Sequence, residues 1–403
     1  MSARKVRRSP RGAVFVAALG VALTLAACGS SSSSSTKAAG STSTSAASSS
    51  SGSSSSAAGV AAAKAYLAKM SQPPAWNGPT APVKISAAKG KSVDIINLTQ
   101  EIPALAIWAN TAQAQLQAAG VHATVCDAKG TPSGITTCMQ QAIAQHPNVI
   151  VALALDTKFI QNYVTQATAA GIKVITGQTG TPGPSKAKGA VAEVTFNYPQ
   201  VGHILGAWFA AQSNCTGYPQ IITTTSSRQP SAAEVAGIQS AITQYCPNAK
   251  PIPVQNVLIP NWPTQLPTVT RSDLTANPNL RYILPLYDGM TIYMVPAIEQ
   301  AHVSHPVQMA SFNATPVVMQ TEVAKHTALV ADVGGPNHWY AYALTDEIFR
   351  VLAGAPVVVD ENVPLRLFDS SNLSQINLSN TATWYGTVNY ACQYDKLWGK
   401  ACS

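Results

Sequence analysis

The chain has 403 residues, 46% of them hydrophobic and only 10% charged, with 25 Lys and Arg against 17 Asp and Glu. That length allows two domains, each with its own core. Arg4, Lys5, Arg7, Arg8 and Arg11 crowd the start, so 20 basic against 17 acidic residues remain beyond them, a net of +3; with no basic cluster interleaved with aromatics elsewhere, nothing points to a nucleic-acid partner.

After the basic start, residues 13–27 form an apolar run with no acidic residue before Cys28. This is the pattern of a secretory leader, and the run is shorter than the roughly 20 residues a membrane span needs. Residues 28–56 are almost all Ser, Gly, Ala and Thr, too poor in apolar surface to form a core, and are expected to be a flexible tether. An Ala-rich helix over 57–70 and a Pro-rich arm around Trp76 are expected to complete an N-terminal segment ending at 82.

The folded body begins near Val83. Its pattern predicts a strand over 93–98, a helix over 104–119 closed by Gly120, a strand over 121–126, and a helix over 135–145 ending before Pro147. The next stretch, NVIVALALDTKFIQNYVTQATAAGIKVITGQ (148–178), sets the architecture. Its first apolar run suits a strand covered on both faces. Asp156-Thr157 supplies an N-cap, Ile160, Tyr163, Val164 and Ala167 recur at helical spacing, and Gly171 closes the helix before a second buried strand at 172–176. This is a βαβ unit, and in open parallel sheets ligands sit beyond the carboxyl ends of the strands. Asp156-Thr157 and Gly177-Gln178-Thr179 are therefore candidate ligand positions.

Strands are expected at 190–196, 220–224, 252–258, 282–286, 307–311 and 327–332. They alternate with helices at 198–213, 232–245, 266–277, 290–301 and 338–352, and Trp262 lies in a loop between prolines. The pattern predicts an α/β fold with two doubly wound, Rossmann-like lobes. There is no G-x-S-x-G elbow, HExxH or P-loop to support an enzyme such as a secreted hydrolase. His302, His305 and His326 lack supporting carboxylate or Cys spacing and read as solvated loop residues rather than metal ligands. No cofactor is expected.

Six cysteines remain beyond Cys28. In an exported chain they suggest three disulfides, with sequence neighbours the simplest pairing: Cys126 with Cys138, Cys215 with Cys246, and Cys392 with Cys402.

The end of the leader, Leu25-Ala26-Ala27-Cys28-Gly29, resembles the bacterial lipobox. That resemblance implies diacylation of Cys28 and a lipid anchor on the outer face of the cytoplasmic membrane. From about Lys91 to Gly354 the chain resembles the type I extracytoplasmic solute-binding proteins, in particular the ribose-binding-like group serving sugar ABC importers. The likeness lies in LQAAGVHATVCDA, AIAQHPNVIVALALD, AAGIKVITG, VTFNYPQVGHILGAW, PLYDGMTIYMVPAIEQA and ASFNATP, in that order, and in a tail carrying Trp384, Tyr390 and LWG at 397–399.

The resemblance implies the type I periplasmic-binding-protein fold: two lobes joined by a three-segment hinge, closing over a ligand. One lobe would comprise 83–195 plus 333–356 and the other 196–332 plus 357–365, with 366–403 as a C-terminal wrap. It implies a monomer that captures a small, sugar-like polar solute and delivers it to an ABC transporter permease. A lipoprotein sensing a ligand for a membrane receptor would use the same cleft.

Carried over residue by residue, the family's Asp-Arg pair after the fourth strand becomes Gln178 and Thr179, and its second Arg becomes Glu234. Its Asn ahead of Asp288 becomes Tyr287, the Asp of Gly-Phe-Asp becomes Asn313, and the pocket Gln becomes Asp332. Ala104 and Leu105 stand where an aromatic follows Pro103, while Trp262 matches a sugar-stacking aromatic. Gln100 and Glu101, after the first strand, complete the candidate set. With both arginines replaced, the expected solute is neutral or weakly cationic, with a flat face for Trp262 and hydrogen bonds from Gln178, Asp288 and Asn313.

Overall fold

The computed structural model describes residues 50–182, 186–249 and 254–402. The leader, Cys28 and the tether as far as residue 49 lie outside them. Helix α1 (Ser50–Met70) starts earlier than the expected 57. A helix once nucleated on the Ala-rich part propagates at little cost into adjoining Ser residues, so composition alone misplaces its start.

The first sheet contains β1 (Ser92–Asn97), β2 (His122–Asp127), β3 (Val149–Leu153), β4 (Lys173–Gly177) and β5 (Ala192–Val194). All pair in parallel in the order β2-β1-β3-β4-β5. Helices α2 (Pro103–Ala118), α3 (Pro132–Gln145) and α4 (Thr157–Ala169) connect these strands. The apolar runs form strands because helices cover the sheet, and every residue of β3 is buried. Asp156 caps α4 by accepting the Lys158 amide at 2.9 Å, and Gly171 takes the positive φ of 82° that ends it.

The second sheet is fed by α5 (Tyr198–Ser213), β6 (Pro219–Thr223), α6 (Arg228–Tyr245), β7 (Gln255–Asn256), α7 (Trp262–Ala276), β8 (Tyr282–Pro285), α8 (Asp288–Gln300), β9 (Gln308–Asn313), the single turn α9 (Pro316–Val318) and β10 (Leu329–Gly334). Helix α10 (Asn337–Ala353) returns to the first lobe and packs on α2. Strand β11 (Arg366–Asp369) then joins the second sheet antiparallel to β10, giving the order β11-β10-β9-β8-β6-β7. The expected wrap from 366 is corrected accordingly, since its first residues complete a sheet edge. Helices α5 and α6 cross with their backbones almost touching. A Cβ on Gly202 would lie 1.9 Å from the Glu234 carbonyl oxygen, and one on Gly237 2.2 Å from that of Pro199.

The chain passes between the lobes at 195–197, at 335–336 and at 354–365. Two further passages flank this hinge. The arm leaves α1, which packs on α5 and α6, with Arg366 donating to the Ser71 carbonyl at 2.9 Å. It reaches α10, where Arg350 donates to the Ala81 carbonyl at 2.8 Å. Trp76 stacks on Trp339 on the way, 5.5 Å between centroids. The tail returns the same way from β11 to α11 (Tyr390–Leu397), which packs on α10. Disulfides join Cys126 to Cys138, Cys215 to Cys246, and Cys392 to Cys402.

Candidate functional site: a cavity between the lobes

Strand ends from both sheets converge on a cavity. The first lobe contributes Leu98 after β1, Ala154 after β3, and Ile102, Ala104, Leu105 and Trp108 from the start of α2. The second contributes Tyr198 at the start of α5, Ser227 before α6, Ile259 after β7, Tyr287 before α8 and Asn313 at the end of β9. All of these residues are buried, so the lobes are closed over the space. The rim is held by contacts between lobes. Arg228 pairs with Asp156 at 3.1 Å, the Thr157 amide donates to Gln229 Oε1 at 2.9 Å, and Ile259 packs over Gly130.

Of the residues singled out from sequence, Tyr287 and Asn313 line the cavity. Tyr287 Oη shares a hydrogen bond with Ser231 Oγ at 3.0 Å. Asn313 sits at a φ of 127°; its amide nitrogen is 3.5 Å from Asp288 Oδ1, its carbonyl oxygen accepts from Asn337, and its Oδ1 has no partner.

Four candidates act one layer back. Gln178, at a φ of 58°, accepts from Tyr198 Oη at 2.8 Å and from the Phe196 amide at 3.3 Å, which orients Tyr198. Asp288 accepts the Thr315 amide at 2.6 Å and the Thr315 hydroxyl at 2.7 Å, fixing the turn after β9. Burial raises its carboxyl to about 6 even though these bonds pull it down. Glu234 is fully buried beneath Tyr198 and Tyr287, neither carboxylate oxygen has a hydrogen-bond partner, and desolvation pushes it well above the glutamate range. Asp332 is likewise raised, by burial first and then by nearby Asp288.

The remaining candidates lie elsewhere. Gln100 exchanges amide contacts with Asn110 on α2, and Glu101 is exposed beside it. Asp156 serves the rim. Trp262 opens α7 instead of sitting in a loop; its ring is buried against Gly289, and its indole donates to the Val257 carbonyl at 3.0 Å. It belongs to the core of its lobe and not to the cavity lining. The tryptophan ring in the cavity is Trp108, one helical turn beyond Ala104 and on the same face of α2, its indole donating to Asn337 Oδ1 at 2.8 Å. That i+4 spacing is the signal that sequence reading passed over. Tyr198 and Ile259 carried none, since their position depends on how the lobes close.

The periplasmic binding protein domain model matches residues 93–355. The chain belongs to this family. Among solved structures, an ABC transporter solute-binding protein from Agrobacterium vitis with bound allitol aligns with a TM-score of 0.65 at 20% identity, covering 71% of this chain and 98% of its own. The Caulobacter myo-inositol binding protein aligns at 0.62 and 22%, covering 71% and 96%. The 5-methylthioribose transporter solute-binding protein from Thermotoga lettingae aligns at 0.64 and 14%, covering 80% and 97%. At these identities the likeness shows the type I fold. These relatives are solute-binding proteins, not enzymes. No curated protein matches the sequence. Among the described residues, no helix is long and apolar enough to cross a membrane.

Proposed function

We propose that the protein is a monomeric, lipid-anchored extracytoplasmic receptor that closes its two lobes over one small solute and delivers it to an ABC importer. The observation that carries this reading is the enclosed cavity at the carboxyl ends of strands from both sheets. Fold relatives that hold allitol, myo-inositol and 5-methylthioribose support it. The solute is neutral or weakly cationic, because no Lys or Arg lines the cavity to pair an anion, and the nearest acids, Asp288, Asp332 and Glu234, stand one layer behind the lining. Trp108, and not Trp262, supplies the flat face.

Two measurements test the proposal. Cys28→Ser should abolish lipid labelling and release the protein into the medium, and equal membrane retention would remove the anchor from the proposal. Deleting the gene should abolish uptake of the solute, with rescue by the wild type and not by Leu105→Trp, which fills the cavity.

A further inference from the structure

The two walls of the cavity differ in chemistry. Leu98, Ile102, Ala104, Leu105 and Ala154 make the first-lobe wall wholly apolar, and the one polar atom of Trp108 is turned away to Asn337. Every hydroxyl and amide group in the lining, from Tyr198, Ser227, Tyr287 and Asn313, belongs to the second lobe. Three of these groups already have partners: Tyr198 donates to Gln178, Tyr287 Oη and Ser231 Oγ share one hydrogen bond, and one N–H of the Asn313 amide points to Asp288. Among them Asn313 Oδ1 is a buried acceptor with no partner. The polar wall therefore asks for a donor, and at one end of the ligand only.

A sugar or polyol carries hydroxyls around its whole perimeter. Each one laid against the Leu98–Ile102–Leu105 wall would lose water without gaining a partner, lowering affinity by roughly tenfold. An apolar ring in the same place gains by burial and finds the Trp108 face beside it.

We infer that the cavity takes a weakly hydroxylated single-ring solute, a phenol or alicyclic alcohol, seated with its ring on the first-lobe wall and its hydroxyl donating to Asn313 Oδ1. This rests on the solute-receptor reading of the cleft.

Calorimetry and thermal shift on the full chain in detergent test it, with phenol, 4-methylphenol, cyclohexanol and cyclohexane-1,2-diol set against ribose, glucose, myo-inositol and allitol. At least one ring alcohol should bind ten or more times tighter than every sugar and polyol. Leu105→Asn should narrow that preference by about tenfold, and Asn313→Leu, which removes the acceptor, should weaken ring-alcohol binding by a similar factor. Circular dichroism establishes that both variants fold. Tightest binding by a sugar or polyol, weakened by Leu105→Trp, would overturn the ligand class and leave the solute-receptor reading standing. If none of the four ring alcohols binds, the inference falls. If, in addition, the gene deletion changes uptake of no solute, the receptor reading falls with it.

Discussion

At the scale of single residues, burial and partner decide role more than residue type does. Trp262 and Trp108 are both large aromatics at helix starts, yet one completes a lobe core and the other lines the cavity. Trp262→Ala is therefore expected to cost roughly 3–5 kcal/mol of stability, as for other buried Trp truncations. Denaturant unfolding measures this; an unchanged midpoint together with weakened binding would return Trp262 to the ligand site. Tyr287 and Asn313 were legible through the family resemblance, since strand-end positions in a parallel sheet face the ligand whatever residue stands there. The sequence reading placed Gln178 and Asp288 in direct ligand contact because hydrogen-bonding capacity is visible in a sequence and its satisfaction is not. Asp288 holds Thr315, and Gln178 holds Tyr198.

At the scale of elements, continuous apolar runs and caps made most of both sheets legible. β3, with Asp156 capping α4, is the clearest case. The short elements were less legible. β7, expected over 252–258, is described as a strand only at Gln255–Asn256, and β11 is four residues whose pairing with β10 depends on a chain return no local pattern encodes. Helix α11 was read only as part of the wrap, because its eight residues hold their place through aromatic contacts with α10. The disulfides can be ranked at this scale. Cys215–Cys246 ties the end of α5 to the end of α6 across a separation of 31, and Cys126–Cys138 spans 12. By chain entropy, removing the first should cost about 4 kcal/mol and the second about 3. Paired Cys→Ser variants followed by thermal unfolding should show the larger fall in Tm for the 215–246 pair.

At the scale of the whole molecule, buried carboxyls make stability depend on pH in an uncommon direction. Burial raises Glu322 and Glu347 to about 7, and pushes Glu234, Asp332 and Glu361 well above the ordinary carboxylate range. Each folded-state value lies above that of the unfolded chain. The stabilising contribution is thus complete below about pH 4.5 and is lost as pH rises through about 7, so Tm should be higher near pH 5 than near pH 8 by a few °C. Glu347→Gln, which keeps an acceptor for the Val358 amide, should flatten part of that slope. A Tm that rises from pH 5 to pH 8 in the wild type would contradict this account.

The hinge is also flanked by an arm and a tail whose rings stack on α10, and this separates the molecule's seven tryptophans optically. Trp108 alone among them lines the interlobe cavity, while Trp76 and Trp339 lie parallel within 13° on the outer face of α10. Emission changes on adding a solute therefore originate at Trp108, and Trp108→Phe should remove them while leaving the steady signal of the other six. The stacked pair should give an exciton couplet in circular dichroism that is indifferent to cavity occupancy and disappears when Trp76 is replaced by Leu. One chain thus carries two intrinsic chromophores, the first registering what fills the cleft and the second whether the arm is still fastened.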